Sequence, residues 1–211
     1  MGRRTIFAGS ALLGMAASPA LAHHPLGGEL PQTMAHGLLS GIGHPVIGLD
    51  HLAFVVAVGV AATLIGRPLL APLAFVAATV GGTLLHLAAV GLPAVEAMIA
   101  LSIIAIGMLI IGGRTLPVAA FLALFVVAGL FHGHAYGEAV FGAETSPVLA
   151  YLAGFGLTQW LVAVAAGALL GPGRLVARTL DPAAPRLAGA AVAGAGALVL
   201  SEQAVTAIGL G

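Results

Sequence analysis

Residues 44–65 read HPVIGLDHLAFVVAVGVAATLI. From Leu52 onward nothing in this stretch is charged, and with the residues before it the run reaches the ~20 apolar positions that a membrane-crossing helix requires. At its mouth stand two imidazoles and a carboxylate, His44, Asp50 and His51. An ionisable side chain at membrane depth is costly unless it meets a partner, water or an ion. Function is therefore to be sought at this mouth.

The rest of the chain has the same character. Of its 211 residues 60% are hydrophobic and 7% charged, the mean hydropathy is +1.14, and there is neither lysine nor cysteine. That composition excludes a water-soluble domain. Zero net charge, with seven Arg as the only lysine-class cations, argues against nucleic acid as a partner. Without cysteine there is no disulfide and no thiolate site, which leaves imidazole, carboxylate, carbonyl and thioether as metal donors.

Upstream, Arg3 and Arg4, the apolar run Thr5 to Ala17 and Ala20-Leu21-Ala22 have the form of a cleaved signal peptide over residues 1–22. An uncleaved first helix is the alternative, disfavoured by the shortness of the run. The mature domain, 23–211, would then begin His23-His24, an α-amine beside two imidazoles and hence a candidate chelating group. After a polar stretch from Pro25 to Gly43, six apolar segments follow near 45–65, 69–92, 94–113, 116–140, 147–170 and 186–208. Continuous apolarity rich in Gly and Ala favours helices over a barrel. The expected fold class is all-α: a polytopic membrane bundle of six transmembrane helices after a cleaved signal peptide. Arg67, Arg114, Arg174, Arg178 and Arg186 follow segments one, three and five, which makes those loops cytoplasmic. Both mature termini are then periplasmic, in a bacterial inner membrane.

With this orientation the ionisable groups gather in the outer half, His44, Asp50, His51, His86, Glu96, His132, His134, Glu138 and Glu202, with the polar Gln203 beside the last. His44 and His51, seven positions apart, fall on nearly one helix face, so one helix could offer both to a single pathway. Alternatively, Pro45 as a first helical residue would make His44 a cap, with Asp50 orienting a ligand histidine. His134 and Glu138 share a face one turn apart. Simpler readings stand beside these: His86 as a packing histidine, Glu96 as a favourable charge at a helix start, and Glu202 with Gln203 as interhelical hydrogen bonding. Nitrogen and oxygen donors without sulfur suit Ni²⁺, Co²⁺ or Zn²⁺.

The run His44-Pro45-x-x-Gly48-x-Asp50-His51 matches the H-P-x-x-G-x-D-H signature of the HupE/UreJ permeases, and Phe131-His132-Gly133-His134-Ala135-Tyr136-Gly137-Glu138 resembles their F-H-G-x-A-H-G-x-E. The leader, the six spans and the Leu92-Pro93-Ala94-Val95-Glu96 corner extend the resemblance over essentially the whole chain. It implies a secondary transporter, not an enzyme, that takes up nickel or cobalt in support of nickel- or cobalt-dependent enzyme maturation. Carried over position by position, it marks His44, Asp50, His51 and His132 as metal residues. Tyr136 stands where the pattern has His, Glu138 arrives one position early, and the fifth segment has Gln159 and Trp160 where many relatives have a His. His134 and His86 are the imidazoles at hand to compensate.

On this reading the partners are a divalent metal ion and the lipid bilayer, with a homo-oligomer open. There is no prosthetic group. His36, His44 and the mature N-terminus capture the cation, which passes to a site formed by segments one and four. No nucleotide-binding motif is visible, so the membrane potential drives transport, with Glu138 as a candidate for proton exchange. Imidazoles ligate only when neutral, so uptake is expected to weaken below about pH 6.5. Two alternatives from other classes are a membrane-embedded zinc hydrolase, with Glu138 or Asp50 as general base, and a metal-binding sensor subunit.

Overall fold

A computed structural model describes residues 29–113, 116–172 and 183–207. The expected leader 1–22, the pair His23 and His24, and Arg114, Arg174 and Arg178 lie outside the described residues, as does the side chain of Asp50. The described chain is helical throughout: α1 (Met34–Ile47), α2 (Leu49–Leu64), α3 (Ala71–Leu87), α4 (Val95–Gly112), α5 (Val118–Tyr136) with a 3₁₀ turn (Gly137–Val140), α6 (Thr145–Leu170) and α7 (Ala184–Ala207).

Each of the six apolar segments holds a helix. Four of these, α4, α5 with its 3₁₀ extension, α6 and α7, are long and apolar enough to cross a membrane. The bent pair α1 and α2 makes a fifth when taken as one span, and α3 is apolar but shorter, with 17 residues. The start of the first segment differs from expectation. Pro45 does not open a helix and His44 is not its cap; both lie in α1, which covers most of the stretch read as polar connection.

Two local features explain α1. Thr33 caps it, its hydroxyl accepting from the His36 backbone N–H at 3.1 Å. Gly37, Ser40, Gly41 and His44, spaced i, i+3, i+4, i+7, form its buried face. It ends because Pro45 has no N–H to give and its ring crowds the carbonyl four residues back, and because Gly48 is extended (φ −74°, ψ 108°). α2 departs from α1 at 77°.

The helices pack mainly as three partnerships: α1 and α2 on α6, α3 on α5, and α4 on α7. α1 meets the first half of α6, Gly37 at Pro147 and Gly41 at Tyr151, while α2 meets the second half, Gly59 at Ala163. Both therefore advance along α6 in the same direction. α3 and α5 are parallel, since Phe75 meets Gly129, Thr79 meets Gly133 and His86 meets Gly137; α4 and α7 are antiparallel, Gly107 facing Gly189 and Ala100 facing Gly196. Gly133 is required at its position, because a Cβ there would run into the backbone of Thr79.

The outside of the bundle is apolar as well as its core, and a few polar groups are buried within that core. Leu39, Leu70, Leu149, Leu187 and Leu198 are all more than 60% exposed, whereas His44, His51, Thr79, Thr83, Ser102, His132 and Gln159 are buried. An apolar outside is what a bundle solvated by lipid requires, and ionisable groups buried inside such a bundle mark a functional interior.

Candidate metal site at the helix break

The break at Gly48 places the last turn of α1 and the first turn of α2 side by side, so His44 and His51 come from two helices rather than from one face of a single helix. Their ring centres are 6.3 Å apart. α5 brings the third imidazole: His132 is wholly buried, with its Nδ1 3.2 Å from Nδ1 of His51. Phe54 lies against His132 at 4.3 Å between ring centres.

Two hydrogen bonds set which nitrogens face inward. The Ser102 hydroxyl donates to Ile99 O at 2.7 Å, so at 3.1 Å its oxygen accepts from Nε2–H of His132. His132 Nδ1 then carries the lone pair, and His51 donates its Nδ1–H to it. The Tyr151 hydroxyl donates to Tyr136 O at 3.3 Å and accepts from Nδ1–H of His44 at 3.0 Å, which leaves the lone pair of His44 on Nε2. A ring N–H given to an oxygen acceptor, here a hydroxyl, fixes the tautomer and orientation of a histidine so that it can ligate through its other nitrogen. The last carbonyls of α1 also end here, the negative end of that helix, which favours a cation.

A cation about 2.05 Å from both Nδ1 atoms of His51 and His132, the ordinary distance for a divalent metal on imidazole, would see them at an angle of about 100°. That lies between octahedral and tetrahedral values. Among the described residues no three His or acidic side chains converge on one point.

The remaining expected residues are not drawn into this cluster. His134 lies two positions beyond His132, about 200° around α5, and pairs instead with His86, Nδ1 to Nδ1 3.4 Å, while its Nε2–H donates to Val90 O at 3.0 Å. Glu138, exposed on the 3₁₀ turn, lies within electrostatic range of His86. His134 does not replace the histidine expected at position 136. Tyr136 itself fills that place, its ring 4.2 Å from His51 and 4.8 Å from His44. His36 is exposed in the first turn of α1, about 12 Å along the helix from His44 by the 1.5 Å rise per residue. Glu96 and Gln203 line a separate open depression of about 370 Å³ where α4 meets α7. The single outer site expected from the sequence is thus three places.

Ser102 and Tyr151 were not anticipated. Ser102 is the lone hydroxyl in the long apolar run of α4, and Tyr151 is one of two tyrosines in the chain, both of which lie at the site. Those are the signals that could have marked them.

The family model described as HupE / UreJ protein matches residues 11–199. Protein HupE of Rhizobium leguminosarum bv. viciae is 37% identical over 123 residues, which cover 57% of this chain and 62% of that relative. No solved structure matches. With the family model spanning nearly the whole chain, helix break and histidines included, this protein belongs to the HupE/UreJ family.

Proposed function

We propose that the protein is a membrane permease that carries Ni²⁺ or Co²⁺ inward through the bundle, with His44, Asp50, His51 and His132 as its metal-handling residues. The observation that supports this most is the pair of imidazole nitrogens 3.2 Å apart, buried at a helix break inside an apolar bundle. Broken helices with their ends turned on a midplane site are a recurrent way of holding ions in secondary transporters. Nitrogen donors without sulfur suit these borderline cations, and family membership points the same way.

The tautomers give the step its chemistry. A cation entering between His51 and His132 takes the position of the His51 Nδ1 proton, which moves to Nε2 of that ring, so both rings ligate as neutral imidazoles. A second proton on either ring takes up the lone pair the metal needs, so acid opposes loading. His132 needs no change, since Ser102 already holds its proton on the far nitrogen. His44 is the next imidazole at hand across the break, and Asp50 is assigned with it on the H-P-x-x-G-x-D-H signature. The pair His86 and His134, with Glu138 near, is a separate outer station that a cation meets first, and His36, with His23 and His24, belongs to the approach.

The helix directions support six crossings with the short α3 as the second. In a six-pass chain the first and fifth passes run alike, as do the second and fourth, while the third opposes the sixth. The observed parallel and antiparallel pairs follow this pattern. On the arginine distribution the histidine end faces the periplasm, with both mature termini on that side after removal of residues 1–22.

The test is flux. Purified wild type and His51→Ala are reconstituted in liposomes with an interior fluorescent chelator, and Ni²⁺ or Co²⁺ is added outside under an inside-negative potential. The expected result is entry in wild type and loss of at least tenfold in His51→Ala. Retention of metal by wild type with no entry of either ion would overturn the permease reading.

A further inference from the structure

One buried polar atom is not used by the site described above. Gln159 lies on α6 two turns beyond Tyr151, about 12 Å further along the axis. It is fully buried, and its Oε1 has no hydrogen-bond partner. The orientation of the amide follows from its neighbour: Thr79 donates its hydroxyl hydrogen to Val76 O at 2.8 Å, so its oxygen accepts from Gln159 Nε2 at 3.3 Å. A flipped amide would set two acceptors against each other. Oε1 is thus held away from Thr79 with no donor.

An unpaired acceptor in a protein interior is destabilising, and each case calls for an explanation. This one sits beside the transport path. Thr79 abuts Gly133, the chain neighbour of His132, and Phe155, one turn back along α6 from Gln159, packs on Tyr136, which lies over His51. The geometry points to a second cation station at the Gln159 amide, with Oε1 as its ligand and Thr79 holding the amide in place, further along α6 than the Tyr151 that holds His44, at which the cation pauses after the imidazoles. The proposal rests on the permease reading. Its chemistry complements that of the entry site. A neutral amide oxygen holds a borderline divalent cation less tightly than imidazoles do, and conduction needs an onward site weak enough to let go.

The test measures Co²⁺ uptake and Co²⁺ binding in parallel for wild type, His51→Ala, Gln159→Leu and Gln159→Glu. Gln159→Leu removes the oxygen and fills the space with apolar volume. It is expected to lower the maximal uptake rate at least tenfold while leaving KM and the tight bound equivalent within twofold of wild type. Gln159→Glu keeps the oxygen and adds charge; it is expected to retain a second Co²⁺ equivalent through gel filtration and to release it slowly. Wild-type uptake by Gln159→Leu overturns the station. If Gln159→Leu does not fold, Gln159→Glu decides alone: a second retained equivalent supports the station, and binding like wild type overturns it. Absence of flux in wild type overturns the permease reading separately, and the station is then judged by Gln159→Glu binding on the same terms.

Discussion

The chemistry of the site depends on which ring nitrogen of each histidine carries its proton, and Ser102 sets this for His132. Its hydroxyl is committed to Ile99 O, so it can only accept from the imidazole. Ser102→Ala removes that acceptor and lets His132 turn its proton toward His51. Loss of a partner of this kind usually weakens metal affinity by about 10- to 100-fold, and Ser102→Ala is expected to raise the Co²⁺ dissociation constant by that factor in equilibrium dialysis. Ser102→Thr, which keeps the hydroxyl, should bind within threefold of wild type; equal weakening in both would show that the site responds to volume rather than to the hydrogen bond. Most of the cluster could be read from the sequence, because His44, His51 and His132 are conspicuous in apolar runs. Ser102 and Tyr151 stand out only by rarity, and which histidine each one holds could not be read, since a partnership across helices leaves no local pattern. His134 misled for a related reason: adjacency along the chain suggested one site, while the helical turn sends it to α3.

At the level of the elements, small residues decide how closely helices approach. Gly133 sits where any Cβ would strike the Thr79 backbone, whereas Gly194 on α7 has nothing within 4 Å of such a Cβ. Gly133→Ala is expected to push α5 from α3 and lower the thermal midpoint of the detergent-solubilised protein by several degrees. Gly194→Ala should leave it unchanged or raised, since glycine inside a helix costs roughly 0.5–1 kcal/mol relative to alanine. Thermal midpoints that fall equally in both would sink the packing account. The helical segments were legible from apolar length, with Pro and Gly as punctuation. The break in the first was not, because Pro45 suits a helix start as well as the weakened end of one. Deciding between these needs the small-residue face of α1, Gly37, Ser40, Gly41 and His44, which becomes visible as a face only once α6 lies against it.

For the whole molecule the driving force is the decisive quantity. On the permease reading the ligands, neutral imidazoles, an amide and the fixed carboxylate of Asp50, stay in place while the cation passes, so each divalent ion that enters moves its own two charges across the field. The potential is worth ~2.3 kcal/mol per charge per 100 mV, hence about 4.6 kcal/mol for this cargo, or roughly a thousandfold in accumulation at equilibrium. Liposomes given a valinomycin potassium gradient, 100 mV negative inside, should therefore accumulate Co²⁺ to far higher levels than liposomes clamped at zero potential with equal potassium. Proton exchange at Glu138 leads to a different outcome. Two protons leaving per metal would make the cycle electroneutral, so that accumulation would ignore the potential and follow an outward proton gradient instead. Glu138 is exposed on the 3₁₀ turn near His86, away from the buried pair of His51 and His132. That placement favours a part in attracting the cation over one in coupling. Glu138→Gln should then reduce uptake at low Co²⁺ through a higher KM while leaving the dependence on potential intact; a variant that loses its response to a proton gradient that wild type follows would return Glu138 to the coupling step.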